Sequence, residues 1–299
     1  MTKYHTGTAG WSYKDWVPAF YPKAQSGNFD WLMYYANYFN CVEVNATYYA
    51  YLSPKIAEGW VRKTEDCSDF LFTIKLHQDF THKKDFDTQK ITAVKYVLNT
   101  LSKAERFGGL LIQFPYSYTS NPVTVQYISR LAEIFGEYNK IVEVRHASWN
   151  KPDILEGFKK LDLTFCTIDQ PQFDNTIPFI LHEINGKMYI RMHGRNVEAW
   201  KNSMSNFNAK QTYEEQSGRY NYLYSPGELV EIEQKIKKML DTVKDIYIIF
   251  NNHPGGNAVC NAFELMYRLL EKQMSIPANT LLAFPRLKVC AENNNEVLF

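Results

Sequence analysis

The stretch KIVEVRHASW, residues 140–149, decides the fold because charged and apolar side chains alternate along it. In a strand, successive side chains point to opposite faces, so Val142 and Val144 share one face while Glu143 and Arg145 share the other. In a half-exposed antiparallel sheet the charged face would lie in water. In a closed parallel barrel the valines would instead pack under helices, and the charged face would line the interior.

The rest of the chain favours the barrel, because eight strand-like runs recur along it. They are Tyr4–Gly10, Cys41–Tyr49, Phe70–His77, Gly109–Pro115, Lys140–His146, Thr164–Gln170, Met188–Gly194 and Asp245–Asn252. Helical patterns alternate with them at Asn28–Phe39, Pro54–Glu65, Thr88–Phe107, Asn121–Tyr138, Lys151–Lys160, Ser225–Val243 and Asn257–Lys272. The sixth crossover reads instead as a hairpin that turns at Asn185-Gly186. The order predicts an α/β protein, a single (β/α)8 TIM barrel over residues 1–299, with an open doubly wound sheet as the rival.

Strand parity then assigns the two faces of the barrel wall. The predicted outward face is apolar: Val42, Val44, Phe72, Ile74, Leu76, Ile112, Phe114, Val142, Val144, Cys166, Ile168, Ile190, Met192, Ile248 and Phe250. The predicted inward face is polar: Glu43, Asn45, Lys75, His77, Gln113, Glu143, Arg145, Thr167, Asp169, Arg191, His193 and Asn251. Because buried ions are costly, these charges are expected either to pair in an internal network or to open on a ligand site at the C-terminal ends of the strands.

Composition narrows the class of protein. The net charge of +1 and the pI near 7.6 give no bulk basic field for nucleic-acid binding, and a small anionic ligand is the expected partner. Five cysteines without metal-ligand spacing indicate reduced thiols. The polar start and the lack of a membrane-length apolar run predict a cytoplasmic protein that does not enter membranes.

Seven ordered motifs resemble a known family. They are GTAGWSYKDWVPAFYP at 7–22, VEVNATYY at 42–49, TH at 81–82, LLIQFP at 110–115, VEVRHASW at 142–149, YIRMHGR at 189–195 and FNNHPGGNAVCNA at 250–262. Together they resemble the YecE-like family, domain of unknown function 72. The resemblance implies a TIM barrel and leaves the chemistry open.

The donors on the inward face suit a phosphate or a carboxylate. The predicted binding residues are Asn45, Gln113, Arg145, Arg191, Arg195 and Asn251, with Trp11 and Tyr13 from the loop after the first strand. Gly255 and Gly256, just before the last helix, are expected either to bring backbone amides to an oxyanion or simply to form a tight turn.

The predicted catalytic residues are the inward titratable groups Glu43, Lys75, Glu143, Asp169 and His193. His193 is the preferred proton-transfer group, and its alternative is a purely structural hydrogen bond. No cofactor is expected. A divalent metal held by Glu43, Glu143, Asp169 and His193 is the alternative, although the cations on the same lining compete for those carboxylates.

Two long βα loops, after strands one and seven, are rich in aromatic residues. The first carries Trp11, Tyr13, Trp16, Phe20 and Tyr21, and the second carries Trp200, Tyr213, Tyr220, Tyr222 and Tyr224. They are expected to stack on a ligand or to pack the barrel mouth against itself.

The leading functional hypothesis is an enzyme that acts on a small anionic compound, phosphorylated compounds included, by acid–base chemistry at the barrel mouth. The alternatives are a nucleic-acid-binding or processing protein and a non-catalytic metabolite-binding protein.

Overall fold

The computed structural model describes residues 2–25, 27–205 and 217–292, without the side chains of residues 203–205. Tyr213 therefore lies outside the described residues. Eight parallel strands close a barrel in the order β1 to β8, and β1 pairs with β8. Surrounding helices complete the (β/α)8 TIM barrel that the sequence predicts.

All eight strands lie where the sequence predicts them. Their bounds are β1 Lys3–Ala9, β2 Cys41–Val44, β3 Leu71–Lys75, β4 Phe107–Gln113, β5 Lys140–Glu143, β6 Leu163–Asp169, β7 Lys187–Met192 and β8 Asp245–Phe250. The second prediction ran too far, because Ala46–Tyr49 forms a short helix. Its β-rich composition concealed the end of the strand.

Helices follow most of the strands and cover the barrel. Their bounds are α1 Trp31–Ala36, α2 Ala46–Tyr49, α3 Pro54–Lys63, α4 Thr88–Lys103, α5 Pro122–Ile134, α6 Pro152–Lys160, α7 Val197–Ser205, α8 Pro226–Lys237, α9 Asn257–Leu270 and α10 Ala278–Ala283. Capping fixes several starts: Asn121 and Ser225 each form a capping box, and a proline opens each of those helices. Helix α7 lies inside the segment that the sequence presented only as a long loop.

The crossover after β6 contains the predicted hairpin. Ile184 and Lys187 exchange backbone hydrogen bonds of 3.1 and 3.0 Å across a two-residue turn. Asn185 and Gly186 both have positive φ, 54° and 81°, as a type I′ turn requires. The turn leads the chain directly into β7.

The alternation of strand β5 places its residues as predicted. Val142 and Val144 are fully buried on the helix-facing side, and Glu143 forms ion pairs with Arg145 and Arg191 inside the barrel. The interior of the barrel is therefore charged near the C-terminal ends of its strands.

The face assignment for β6 is wrong by one residue. The register pairs Cys166 with Tyr189 and Ile168 with Arg191, and residues paired in a parallel sheet share a face. Arg191 is inside, so Cys166 and Ile168 point inward, while Thr167 and Asp169 point toward the surrounding layer. Both faces of this strand are largely apolar, with Phe165 beside Cys166 and Ile168, so alternation gave no usable signal.

Within the described part of the chain, no helix is long and apolar enough to cross a bilayer.

Candidate active site

A cavity of about 490 Å³ opens at the C-terminal ends of the strands. Seven of its lining residues are among those predicted from the sequence: Tyr13, Asn45, Lys75, Gln113, Arg145, Arg191 and Asn251. The position agrees with the rule that TIM-barrel sites are built at this end.

Below the cavity, Arg191 bridges two buried carboxylates. Its guanidinium donates to Glu43 Oε1 at 2.7 Å and also to Glu143 Oε2. Tyr189 donates its hydroxyl to the other oxygen of Glu43 at 3.0 Å. Glu43 and Glu143 have no exposed surface, so they support the cavity from beneath and do not line it.

Arg145 carries this network up to the cavity wall. Its Nε donates to Glu143 Oε1 at 2.8 Å. Burial opposes ionisation of Glu143, but the charges of Arg191 and Arg145 outweigh it and hold the pKa of that carboxyl well below its usual range. Glu143 is therefore a fixed negative charge at neutral pH.

The cavity carries an excess of positive charge. Lys75, Arg145, Arg191 and Arg219 line it, and no Asp or Glu does so among the described residues. The buried carboxylates of Glu43 and Glu143 offset part of this charge from beneath. Asp169, which the sequence placed on the same lining, does not contribute, because it points out of the barrel.

Lys75 lies on the cavity wall at the end of β3, with its Nζ 4.2 Å from the ring centre of Tyr48. It forms no ion pair among the described residues, unlike Arg145 and Arg191. Burial, followed by repulsion from Arg191, lowers the pKa of Lys75 to about 7. This amine therefore exchanges protons near neutral pH.

His193, the preferred proton-transfer residue from the sequence, has no access to the cavity. It is fully buried, and its Nδ1 lies 2.9 Å from Asn251 Nδ2. Burial lowers the pKa of His193 to about 3, although Glu143 lies 3.7 Å from its Nε2. The ring is therefore a neutral hydrogen-bonding group in the wall.

Asp169 and Arg195 form a separate cluster outside the barrel. Arg195 pairs with both oxygens of Asp169, at 2.8 and 2.6 Å, and with Glu228 of α8 at 3.0 Å. Tyr224 also donates to Asp169 at 2.8 Å. These contacts tie the ends of β6 and β7 to α8, so the structure does not place either predicted residue in the cavity.

His77 also leaves the mouth. Its ring stacks on Tyr51 at 4.0 Å between ring centres, and its Nδ1 accepts from the backbone of Asp79 at 3.2 Å. A five-residue π-helix, Asp79–Lys83, follows, and it brings His82 to the cavity instead. Burial and the charge of Lys75 lower the pKa of His82 to about 4, so the ring is neutral there.

Helix α7 and the segment after it supply cavity residues that the sequence named only as loop residues or not at all. Trp200, Arg219 and Tyr220 all line the cavity. The Arg219 guanidinium lies 4.8 Å from the ring centre of Tyr220. Burial would raise the pKa of Tyr220, but the positive charges of Arg219 and Arg145 outweigh it and lower the pKa. The aromatic content of this segment was its only sequence signal.

Aromatic rings also surround the opening. Tyr48 and Tyr49 come from α2, and Tyr116 comes from the loop after β4. The residues Tyr49 and Tyr116 are 71% and 37% exposed, so their faces are accessible to a ligand that enters the cavity. The prediction of a single strand over VEVNATYY concealed the helix that presents Tyr48 and Tyr49.

The loop after β1 lies at the same barrel end, but its tryptophans pack against neighbouring parts of the protein and do not reach the cavity. The Trp16 indole donates to the His253 carbonyl at 2.8 Å and is fully buried, while Trp11 packs edge-on against Trp60. Only Tyr13 of the two predicted ligand contacts, Trp11 and Tyr13, reaches the cavity lining.

The glycine pair before α9 does not present its first amide to the cavity. The Gly255 N–H donates to Asp15 Oδ2 at 2.8 Å, so a carboxylate from the first loop already occupies the expected oxyanion position. This contact fits the alternative prediction that the glycines form a tight turn. The hydrogen bond joins the loops after β1 and β8.

Amide side chains complete the polar lining. The residues Asn45, Gln113, Gln170 and Asn251 all lie on the wall. Gln170 is 4% exposed, and its Oε1 has no hydrogen-bond partner among the described residues. A buried acceptor of this kind suits a ligand hydroxyl or amine.

The proposed metal set is not brought together. Glu43 and Glu143 are bound to Arg191, and Asp169 points outside the barrel toward Arg195. In residues 2–25, 27–205 and 217–292 no cluster of three His, Cys, Asp or Glu side chains has metal-ligand geometry. These carboxylates form ion pairs with arginines. The cavity, which is rich in hydrogen-bond donors, is suited to an anion.

Solved structures share this architecture. A DUF72 family protein of Thermotoga maritima MSB8 superposes with a TM-score of 0.76 at 29% identity, covering 90% of this chain and 99% of that one. A second DUF72 family protein, from Enterococcus faecalis V583, superposes with a TM-score of 0.76 at 22% identity, covering 92% of this chain and 97% of that one. It supports the fold alone. Fold and cavity together define a (β/α)8 barrel protein with a cationic cavity at its C-terminal mouth.

The sequence comparisons place the chain in one family. Residues 5–283 match the family described as "Protein of unknown function DUF72". The UPF0759 protein YunF of Bacillus subtilis (strain 168) is 27% identical over 274 residues, 88% of this chain and 93% of YunF. The UPF0759 protein YecE of Escherichia coli (strain K12) is 28% identical over 144 residues, 48% of each chain. The chain belongs to the DUF72 family, as its motifs indicated.

Proposed function

We propose that this protein is an enzyme that binds a small anionic compound in the cavity and transforms it by proton transfer. The observation that carries the proposal is the composition of the cavity wall, which has three arginines and a lysine and, among the described residues, no carboxylate. Such a wall attracts phosphate or carboxylate groups and disfavours cations.

The arginines contribute to the proposed anion site in different ways. Arg191 is fixed by Glu43 and Glu143 and supplies charge from below. Arg145 shares one oxygen of Glu143, and Arg219 lies over aromatic rings at the cavity wall, so both place a positive charge beside a bound ligand. Guanidinium groups bind such oxyanions in bidentate fashion.

Two groups on the wall have pKa values shifted in the direction that favours proton transfer near neutral pH. Lys75 has a pKa of about 7, and the pKa of Tyr220 is lowered by the surrounding arginines. Groups that titrate near the working pH transfer protons most effectively. We assign proton transfer to Lys75 and Tyr220 and not to the enclosed His193.

Anion binding tests the proposal directly. Phosphate, sulfate and a dicarboxylate should each raise the melting temperature of the protein, whereas glucose should not, because only anions gain from the cavity charge. The Arg219→Met variant should have a dissociation constant for the anion about tenfold higher than the wild type. That loss of affinity corresponds to roughly one charge-assisted hydrogen bond.

Arg130 provides a matched control, because its guanidinium also stacks on an aromatic ring, 5.1 Å from the centre of Phe86, but it does not line the cavity. The Arg130→Met variant should bind anions as the wild type does. If no anion shifts the melting temperature, or if both variants lose affinity equally, the cavity is not an anion site.

One observation favours nucleic acid as a second candidate. The exposed rings of Tyr49 and Tyr116 stand beside cationic side chains, an arrangement that can stack a base and hold its phosphate. The net charge of +1 argues against a long backbone contact. A gel shift of a short single strand that weakens steeply with added salt would support this candidate, and no shift at low salt would exclude it.

A non-catalytic metabolite-binding protein would use the same cavity. Screening phosphorylated and carboxylated compounds for turnover separates the two, because a binding protein returns each compound unchanged.

A further inference from the structure

The Lys75 amine is held differently from the two arginines of the cavity wall that pair with carboxylates. The guanidinium groups of Arg145 and Arg191 are locked onto carboxylates, at 2.7 Å for the closest contacts to Glu143 and Glu43. Among the described residues, Lys75 has instead only the face of Tyr48, 4.2 Å from Nζ. A ring face leaves the amine free to react with a ligand.

The surroundings of Lys75 also favour the uncharged amine. Burial and the charge of Arg191 lower its pKa to about 7, although the charges of Glu143 and Glu43 oppose the shift, and Arg145 adds to it. Of the titratable rings nearby, Tyr48 and His82 are both neutral at this pH. About half of the Lys75 side chains are therefore nucleophilic near pH 7.

We infer that Lys75 forms an imine with a small carbonyl compound that carries a carboxylate or phosphate group, an inference that rests on the proposed anion site. Arg145 and Arg219 hold the anionic group, which places the neighbouring carbonyl carbon against the lysine at the same cavity wall. An amine beside arginines is a poor anion ligand but a good nucleophile, because those cations disfavour its own charge.

Imine formation conserves all atoms and electrons without a cofactor. The Nζ lone pair attacks the carbonyl carbon, and the carbonyl oxygen takes up a proton while Nζ loses one, which gives a carbinolamine. A second proton, for which Tyr220 is placed on the same wall, lets that oxygen leave as water. The iminium that results withdraws electrons from the adjacent carbon, so a C–H or C–C bond there is weakened.

Reductive trapping tests the inference. The protein is incubated near pH 7 with sodium cyanoborohydride and, in separate arms, pyruvate, 2-oxoglutarate or dihydroxyacetone phosphate, and its intact mass is followed. We expect one reduced adduct per chain, mapped to Lys75 by peptide analysis, with at least one of the three probes. The arm that reacts identifies carboxylate or phosphate as the anchored group.

Lys140 provides the matched control. It is also a buried lysine with a lowered pKa, but its Nζ donates to the Tyr138 carbonyl at 2.9 Å and it does not line the cavity. The Lys140→Met variant should be labelled as the wild type is, and Lys75→Met should lose the adduct. Lys75→Arg keeps the charge without the primary amine and replaces Lys75→Met if the latter does not fold.

The labelling rate should rise through pH 7 and level off above it, because the free amine is the reacting species. If no probe gives an adduct, or if Lys75→Met is labelled as strongly as the wild type, the imine inference is overturned. Sulfate binding then reports on the proposed function separately: stabilisation by sulfate without any adduct overturns only the imine, whereas loss of both overturns the anion site too.

Discussion

At the scale of single residues, the site depends on Arg191, which pairs with two buried carboxylates and is, among the described residues, the one ion-pair partner of Glu43. Its side chain is 2% exposed, and Glu43 and Glu143 are not exposed at all. Desolvation of these three ions is costly, and the ion pairs offset it only while all three are present. Removing the arginine leaves Glu43 as an uncompensated buried charge and leaves Glu143 with Arg145 alone.

The Arg191→Met variant should therefore lose about 3–5 kcal/mol of unfolding free energy, as expected when one member of a buried ion pair is removed. Urea denaturation measures the loss. Arg268→Met is the control, because Arg268 also pairs with two carboxylates, Glu264 at 3.3 Å and Glu233 at 3.7 Å, but near the surface. It should cost about 1 kcal/mol or less.

A double variant identifies the cause. Arg191→Met combined with Glu43→Gln removes the orphaned charge of Glu43, so it should be more stable than Arg191→Met alone. Equal or lower stability of the double variant would mean that the arginine acts through packing and not through charge.

The pH dependence of stability follows from Lys75. The unfolded chain holds its proton up to the ordinary lysine pKa of 10.5, and the folded chain only up to about 7. Between these values the unfolded state binds more protons, so the Lys75 contribution to stability rises with pH across this window and is least favourable below pH 7. The stability gain of Lys75→Met over the wild type should accordingly shrink as the pH increases from 7 toward 10.5.

Unfolding free energies of the two proteins, taken at several pH values, measure this difference, and groups common to both cancel. A difference that stays constant across the window would show that Lys75 titrates normally.

At the scale of elements, the junction between β7 and the segment above the cavity depends on Gly194. Its φ is 86°, and a Cβ at this position would lie 2.6 Å from the Tyr222 Cβ. Tyr222 lies two residues after the cavity residue Tyr220, so a displacement here reaches the site. The junction requires glycine both for its backbone angle and for its space.

The Gly194→Ala variant should lose at least about 1–2 kcal/mol from the backbone angle alone, with more from the contact to Tyr222. Gly157→Ala is the control, because Gly157 lies in α6 with nothing within 4 Å of an added Cβ. It should gain about 0.5–1 kcal/mol through helix propensity. Thermal denaturation compares them; equal stability of the two variants would contradict the proposed strain.

Elements also show where sequence patterns stop being informative. In β5, alternation was strong enough to assign Glu143 and Arg145 to the interior. In β6 it was weak, since Phe165, Cys166 and Ile168 are all apolar, and the register with Arg191 of β7 decided the faces. A strand buried on both sides by apolar residues contains no parity signal, so only its neighbours can place it.

At the scale of the whole molecule, the first strand closes the barrel against the last. Lys3 pairs with Asp245, and every strand needs two neighbours to satisfy its backbone. The prediction of a single domain over residues 1–299 therefore has a thermodynamic consequence.

We expect one cooperative unfolding transition, with fluorescence and far-ultraviolet circular dichroism giving the same midpoint. A barrel that loses one strand opens along its whole length, which couples all eight. Two separated transitions would show that the chain contains independently folding units.

The sequence by itself determined the order of elements, the closed barrel, the charged interior near the strand ends and the family. The first three follow from local periodicity, because side-chain alternation and helix caps act over a few residues, and the family follows from the resemblance of the seven motifs. Lys75, Arg145 and Arg191 were found in this way, since each ends or nearly ends a strand with clear alternation.

Only the tertiary structure decided which charges meet, and thereby what the site can do. Glu43 and Arg191 are 148 residues apart in sequence yet 2.7 Å apart in space. Asp169 lies outside the barrel interior, where it pairs with Arg195. A loop brings Arg219 and Tyr220 to the cavity, and His193 is fully buried. Desolvation and charge pairing depend on such distances across the barrel, and the spacing of residues along the chain does not contain them.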